Sequence, residues 1–208
     1  MAKIIAISNQ KGGVGKTTTS VNLAACLGKM GKKTLLVDAD PQGNATSGVA
    51  IDKSKVKFST YSILVDGAKA EQCVLTTPYD NLHILPSSLD LAAAELEIAE
   101  KPHREALLKN ALLPIKQYYD YIIIDCPSSL GLITANALTV ADTFLVPIQC
   151  EYFVDTPYDC KCYSYIPTKN EKTLIISLME EYCQKEENMS INEFIQSMQK
   201  CESMEMSM

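Results

Sequence analysis

Short, uninterrupted apolar runs alternate with longer amphipathic segments over roughly the first 150 residues of this chain. The apolar runs occupy residues 4–8, 34–37, 82–85, 121–124 and 143–146. Runs of this length are typical of strands that are buried on both faces of a parallel sheet. The segments between them predict helices at residues 18–30, 59–65, 68–73, 89–100, 104–119 and 130–140, and Pro114 is a candidate break within the helix at 104–119. Strands and helices that alternate in this way predict an α/β fold, a parallel sheet with helices on both faces.

The pattern and the composition both change near residues 151–157. Residues 151–208 contain no glycine and no arginine, and their five lysines and eleven acidic residues account for the whole net charge of −6. Apolar residues at helical spacing predict a helix at residues 172–185, and a capping box at residues 190–193 predicts a second at residues 191–200. We therefore predict a first domain at residues 1–153 and a shorter, mostly helical C-terminal segment at residues 154–208.

The bulk composition is that of a globular protein, with 47% apolar and 21% charged residues. No apolar run reaches the ~18 residues of a membrane span, and the first residues lack the pattern of a signal peptide. We therefore expect a cytoplasmic protein with no membrane partner. Thiols stay reduced in that compartment. Cys26 and Cys126 lie in apolar segments, so both are expected to be small core residues.

A glycine-rich stretch joins the first predicted strand to the first predicted helix. Its residues are Lys11, Gly12, Gly13, Val14, Gly15, Lys16, Thr17 and Thr18. This context is typical of a phosphate-binding loop, because glycines let backbone N–H groups turn towards a phosphate and the helix N-terminus adds its positive dipole. In such a loop Lys16 reaches the β- and γ-phosphates, and Thr17 places its hydroxyl on Mg²⁺. Lys11 adds a second cation at the front, which hints at a special nucleotide geometry.

Three acidic residues follow predicted strands. Asp38 and Asp40 come after the run at residues 34–37, and Asp125 comes after the run at residues 121–124. Ligands of parallel sheets bind beyond the carboxyl ends of the strands, so we expect these carboxylates to lie beside the phosphate-binding loop. A carboxylate in that place is a usual partner of loop-bound Mg²⁺, and we assign Asp125 to this role, through water or through Thr17. Either Asp38 or Asp40 is then expected to orient the attacking water or to assist the metal.

Three sequence boxes, in this order, resemble those of the ParA/MinD-type ATPases. The first is a deviant Walker A box, KGGVGKTT, at residues 11–18; the second is LLVDADPQGN at residues 35–44; the third is a Walker B region, YIIIDCPS, at residues 121–128. The stretch DPQGNATSG at residues 40–48 is most similar to the ParA/Soj branch, which partitions chromosomes and plasmids. The resemblance extends from residue 2 to residue 153, and three boxes in the correct order make it highly specific.

The resemblance implies a P-loop NTPase-like fold and a weak, Mg²⁺-dependent ATPase that binds ATP and forms an ATP-dependent homodimer. The implied roles are phosphate binding by Lys16, Thr18 and the loop backbone, Mg²⁺ binding by Thr17, Asp125 and Asp38, and support of hydrolysis by Asp40 with Asp38 beside it. Lys11 is expected to reach the ATP of the partner subunit, which makes hydrolysis depend on dimerisation. The implied partners are a second copy of the chain, a ParB-like centromere-binding protein, and DNA bound without sequence preference.

The resemblance stops where the composition changes. Members of this branch continue with further strands, part of the adenine pocket and a basic DNA-binding surface, whereas this C-terminal segment is acidic and DNA phosphates need clustered Lys and Arg. A second hypothesis is therefore a remodelled, nucleotide-dependent interaction module with little or no ATPase or DNA-binding activity. A third is a reductase similar to the nitrogenase iron protein, with Cys126 as candidate ligand. The two predicted C-terminal helices also weakly resemble a ribbon–helix–helix pair, although packing on the sheet is the simpler interpretation.

Overall fold

The computed structural model describes residues 2–129 and 131–147. These residues form a six-stranded sheet with the strand order 3-4-2-5-1-6. The strands are β1 Lys3–Ile7, β2 Thr34–Asp38, β3 Leu75–Thr76, β4 Leu82–Leu85, β5 Tyr121–Asp125 and β6 Thr143–Leu145. All neighbouring pairs are parallel except β3 and β4, which pair antiparallel. The predicted α/β fold is confirmed, and the two-residue edge strand β3 is an addition that the apolar pattern did not predict.

Helices cover both faces of this sheet, as the sequence predicts. They are α1 Lys16–Lys29, α2 Asn44–Gly48, α3 Thr60–Leu64, α4 Ala70–Cys73, α5 Leu91–Ile98, α6 Leu107–Leu112 and α7 Leu132–Val140. On one face α1 and α2 pack on a core that includes Ile5, Leu36 and Ile123. On the other face α3 to α7 pack on a core that includes Ile4 and Ile122. Successive residues of a strand point to opposite faces, so a continuous apolar run supplies both cores.

The central strand β5 brings the predicted acidic residues together. Its register pairs Asp125 with Ile7 of β1 on one side and with Asp38 of β2 on the other. Two backbone hydrogen bonds continue the ladders past the strand ends: the Ala39 N–H donates to the Asp125 carbonyl (2.9 Å), and the Cys126 N–H donates to the Ile7 carbonyl (3.1 Å). The carboxyl edge of the sheet is therefore fixed by the backbone at the point where Asp38 and Asp125 lie side by side.

One predicted helix differs from the structure, and one observed helix was not predicted. The predicted helix at residues 104–119 is only α6 and a separate 3-10 turn, Lys116–Tyr118. The start of α6 is fixed by a residue of α7: the Asn136 side chain donates to the Arg104 carbonyl (2.7 Å) and accepts from the Leu108 N–H (3.0 Å). The end is set by Pro114, which has no N–H to continue the helix. Helix α2 was not predicted, since its sequence NATSG lacks an apolar stripe.

Residues 148–208 lie outside the described residues. The division at residue 153 and the helices predicted at residues 172–185 and 191–200 therefore remain predictions. Within residues 2–129 and 131–147, no helix is long and apolar enough to cross a membrane.

Candidate phosphate-binding site

The loop between β1 and α1 has the backbone of a phosphate cradle. Gly13 and Gly15 have φ angles of +76° and +85°, a region that L side chains rarely adopt, so glycine is required at both positions. Gly15 is the N-cap of α1 and makes no side-chain capping bond. The first N–H groups of a helix have no acceptor within the helix. Those at the start of α1 are accordingly available to an anion, with the positive end of the helix dipole behind them.

Lys16 folds back over this loop. Its side chain is buried, and its ammonium donates to the Lys11 carbonyl (3.1 Å) and to the Ser128 hydroxyl (2.9 Å). An ammonium has three N–H donors, so these two bonds hold it in place and leave a donor for a ligand. Ser128 lies in the segment after β5, which means that Lys16 joins the loop to the strand that carries Asp125. The sequence placed Ser128 in the third box without a role.

The front of the loop is anchored by Asn9. The Asn9 carbonyl oxygen Oδ1 accepts from the Lys11 N–H (3.0 Å), and the Asn9 amide Nδ2 donates to the Pro147 carbonyl (2.9 Å). The backbone of Lys11 is therefore held from two directions, by Asn9 through its N–H and by Lys16 through its carbonyl. This places the backbone of the second predicted cation at a fixed point of the loop.

Asp125 is fully buried and carries an unsatisfied oxygen. Its Oδ1 accepts from the Ser20 hydroxyl (2.7 Å), whereas Oδ2 has no hydrogen-bond partner in the described part of the chain. The pKa of this carboxyl is raised from 3.8 to about 6 in total: burial is the main cause and the Asp40 charge adds to it, while the Ser20 and Thr17 hydroxyls and the Lys16 charge oppose the rise. Buried carboxylate oxygens are almost always paired. A free carboxylate oxygen with hydroxyl groups beside it fits a Mg²⁺ ion, which prefers oxygen ligands.

Asp38 is also fully buried, but its oxygens are bonded to the protein. Oδ2 accepts from the hydroxyl and from the backbone N–H of Thr46, both at 2.7 Å, and Oδ1 accepts from the Asp40 N–H at 3.2 Å. Its pKa is raised from 3.8 to about 7 in total: burial is the main cause and the Asp125 charge adds to it, while the hydrogen bonds from Thr46 and Asp40 oppose the rise. This arrangement makes Asp38 a residue that holds the ends of β2 and α2 in place.

Asp40 differs from Asp38 in its access to solvent. It is partly exposed, and its Oδ1 accepts from the Gln42 N–H (2.9 Å). A carboxylate that orients an attacking water must itself be reached by water. Of the two acids that follow β2, Asp40 meets this requirement and the fully buried Asp38 does not.

The site residues predicted from the sequence come together at one edge of the sheet. Three hydroxyl residues at this edge were missed as contributors: Ser20, Thr46 and Ser128. Ser20 had a recognisable signal, because it is a polar residue on the buried stripe of α1, one turn after Lys16. Thr46 had no such signal in the sequence, since its contact with Asp38 depends on how α2 packs against the end of β2.

The cysteine expectations are met in part. Cys126 is buried as predicted, and its Sγ lies 3.9 Å from the Ile124 carbonyl oxygen. Cys26 was predicted in the core and is exposed on α1, so that prediction was wrong. Its segment is apolar, but α1 turns this position to solvent. A buried Cys126 does not reach the surface where two subunits would share a metal cluster, which leaves the reductase hypothesis without support in this region.

Comparisons with known proteins point to one family. A family model described as AAA domain matches residues 2–157. The sporulation initiation inhibitor protein Soj of Bacillus subtilis (strain 168) is 58% identical over 153 residues, which are 74% of this chain and 60% of that protein. Cobyrinic acid a,c-diamide synthase from Mycobacterium smegmatis, solved with bound ATP analog and magnesium, is 39% identical with a TM-score of 0.70 over 73% of this chain and 62% of the solved one.

A putative plasmid partition protein from Borrelia burgdorferi B31, solved with AMPPNP, is 34% identical with a TM-score of 0.62, covering 73% of this chain and 63% of the solved chain. This chain thus spans about 60% of the length of the relatives it matches. The family model covers most of the chain and includes all three boxes of the site. The chain therefore belongs to the AAA domain family, and residues 2–157 are of the ParA/Soj type.

Proposed function

We propose that this chain binds ATP together with Mg²⁺ and hydrolyses it slowly, as a ParA-type switch in chromosome or plasmid partitioning. One observation carries the proposal: the buried Lys16 ammonium and the unsatisfied Asp125 oxygen lie at the same edge of the sheet as the glycine loop. A bound nucleoside triphosphate requires a cationic side chain for its phosphates, a carboxylate for its Mg²⁺ and a set of backbone N–H groups.

Each residue of the loop has a role in this proposal. The N–H groups of Gly12 to Gly15 and the ammonium of Lys16 bind phosphate oxygens, with Thr18 beside them. The Thr17 hydroxyl and the Asp125 carboxylate hold Mg²⁺, Asp125 acting directly or through water. Mg²⁺ in this place supplies neutralisation of the phosphate charge. Ser20 keeps Asp125 oriented by its bond to Oδ1.

Hydrolysis in this proposal depends on a second copy of the chain. Asp40 orients the attacking water, because it is the partly exposed acid of the pair, and Asp38 fixes Asp40 by accepting its N–H. Lys11 contributes its charge to the ATP of the partner subunit. Because Lys11 acts on the ATP of the other subunit, an isolated subunit hydrolyses ATP slowly and turnover depends on dimerisation. This is the behaviour of a switch.

The cellular role rests on the relatives. Soj and the plasmid partition protein carry names that describe sporulation control and partition, and this chain matches 60% and 63% of their lengths. A ParB-like protein is the proposed partner that stimulates hydrolysis in the cytoplasm. DNA binding is the least supported role, because residues 151–208 carry five lysines and eleven acidic residues.

Equilibrium titration with a fluorescent ATP analogue tests nucleotide binding. We expect Lys16→Ala to weaken binding in Mg²⁺ by about tenfold or more, since a hydrogen bond from a charged donor is lost. Lys29→Ala is the matched control, because Lys29 is an exposed lysine at the other end of α1. Equal affinity of wild type and Lys16→Ala, or no binding by wild type, would overturn the proposal.

Light scattering after size exclusion, with ATP and with ADP, tests the switch. A dimer that forms with ATP and is lost in Lys11→Ala supports it, with Lys32→Ala as an exposed lysine control. Phosphate release measured on the same samples separates the two leading hypotheses. Turnover that is lost in Asp40→Ala supports the ATPase. Binding and dimerisation without any turnover support the remodelled interaction module instead.

A further inference from the structure

Contacts hold the segment that follows β5 at its start, in its middle and at the beginning of α7. The Cys126 N–H bonds to the Ile7 carbonyl (3.1 Å) at its start, and the Thr134 hydroxyl donates to the Ser129 carbonyl (2.6 Å) in its middle. Ser128, between these two points, accepts from the ammonium of Lys16 (2.9 Å). The third point is the beginning of α7, and there the contact comes from a different helix.

Glu95 of α5 lies at the beginning of α7. Its Oε1 accepts from the Ile133 N–H at 3.4 Å. Ile133 is in the first turn of α7, where N–H groups have no acceptor within the helix. The first turn of α7 contains no acidic residue, and its N-cap, Gly131, makes no side-chain capping bond. Glu95 therefore supplies from α5 the negative charge that a helix N-terminus favours.

Gly131 provides the room for this carboxylate. A Cβ atom at position 131 would collide with both oxygens and the Cδ atom of Glu95. The backbone of Gly131 has φ −101°, which other residues adopt without strain. The glycine is thus explained by the closeness of Glu95 and not by its own conformation. Because the carboxylate is the end of a flexible side chain, a methyl group at position 131 would push it away from α7.

We propose that Glu95 is a positioning residue for the phosphate site. By fixing the beginning of α7, it fixes the end of the segment that presents Ser128 to Lys16. Lys16 is thereby held in the direction from which it donates to a phosphate. The effect on nucleotide affinity rests on the proposed function, whereas the effect on Lys16 itself does not.

Two variants remove the same contact in different ways. Glu95→Ala deletes the carboxylate, and Gly131→Ala displaces it while Glu95 stays in place. Glu97→Ala is the matched control, because Glu97 is an exposed glutamate on the same helix whose carboxylate bonds to the Tyr61 hydroxyl. Ser128→Ala serves as the reference for complete loss of the Lys16 contact.

The first measurement is the ¹⁵Nζ resonance of Lys16 in the nucleotide-free protein. We expect it to move in both Glu95→Ala and Gly131→Ala in the direction that it moves in Ser128→Ala, and to stay in place in Glu97→Ala. A Glu95 that only stabilises α7 would lower the melting temperature and leave this resonance unmoved. An unmoved resonance in either test variant, or an equal shift in Glu97→Ala, would overturn the proposal.

The second measurement is the affinity for the fluorescent ATP analogue in Mg²⁺. We expect it to weaken about threefold in both test variants, the size of a lost contact at a helix N-terminus. Unchanged affinity in both would also overturn the proposal. If the wild-type protein binds no ATP, the proposed function fails, and the Lys16 resonance still decides the role of Glu95. If Glu95→Ala does not fold, Gly131→Ala carries the test, and Glu95→Gln, which keeps an acceptor oxygen, is expected to stay close to wild type.

Discussion

Thr46 donates two hydrogen bonds to the same carboxylate oxygen of Asp38. Its hydroxyl and its backbone N–H both donate to Oδ2, each at 2.7 Å, and the same hydroxyl accepts from the Ser87 N–H at 3.0 Å. One side chain thus joins the end of β2, the short helix α2 and the segment after β4. A five-residue helix is not stable by its own propensity, so α2 depends on this contact and on its packing.

Replacing Thr46 tests this dependence. Thr46→Val keeps the shape but removes the hydroxyl, which leaves a buried carboxylate oxygen and a buried N–H with fewer partners. We expect the free energy of unfolding to fall by about 1–3 kcal/mol. Urea unfolding measures the change. Thr139→Val is the control, because Thr139 is exposed on α7 and bonds only to its own helix; a loss of the same size there would contradict the explanation.

Stability is expected to fall as the pH rises from about 4 to about 7. Burial raises the pKa of Asp38 to about 7 and that of Asp125 to about 6, above the value of 3.8 in the unfolded chain. In this window the folded protein keeps protons that the unfolded chain has lost, so the free energy of unfolding decreases with pH. For Asp125 the contribution is on the order of 2–3 kcal/mol. Thermal unfolding in EDTA, without nucleotide, measures it.

Asp125→Asn is expected to reduce this dependence, because Asp38 is then the only one of the two buried acids that still titrates in this window. Asp66→Asn, at an exposed position, is expected to keep the wild-type slope. Parallel curves for wild type and Asp125→Asn would show that Asp125 is not the group responsible.

Ser20 is expected to matter for the metal more than for the nucleotide. Ser20→Ala removes the bond to Asp125 Oδ1, which orients the carboxylate and lowers its pKa. We expect the gain in ATP affinity on adding Mg²⁺ to shrink about threefold to tenfold, while affinity in EDTA stays the same. Ser47→Ala is the control, since Ser47 is an exposed serine of α2. A loss of equal size in EDTA and in Mg²⁺ would assign Ser20 to packing alone.

The cysteines of the first 147 residues are expected to react at different rates. Cys26 is exposed, whereas Cys73 and Cys126 are buried. Burial raises the pKa of Cys73 to about 11 and that of Cys126 further still, so neither is a thiolate at neutral pH. Iodoacetamide labelling with peptide mass spectrometry is expected to modify Cys26 first. Rapid labelling of native Cys126 would reopen the reductase hypothesis.

The sequence was sufficient to predict an element or a site wherever the signal lies within a short segment. The apolar runs predict β1, β2, β4, β5 and β6 because these strands are buried on both faces, and the glycine loop identifies its ligand class because its chemistry is contained within eight residues. Asp125 was placed correctly at the strand end because parallel strands share one functional edge.

The sequence was insufficient where a contact joins distant segments. Thr46 holds Asp38 only because α2 folds back over β2, and Glu95 reaches α7 from a helix 38 residues earlier. The predicted helix at 104–119 starts late for the same reason, since Asn136 of α7 fixes its start, whereas its end at Pro114 follows from a local signal. Helical propensity describes a segment by itself, and these boundaries are decided by tertiary contacts.

The place of β5 between β1 and β2 has a consequence for how the chain folds. These two early strands do not pair with each other; both pair with β5. Strand β5 is synthesised about ninety to one hundred and twenty residues later, as the pairing of Lys3 with Tyr121 shows. Closing so large a loop is slow, and the unpaired edges of β1 and β2 are exposed in the meantime. The chain is therefore expected to complete its sheet in a late step, when β5 pairs with β1 and β2.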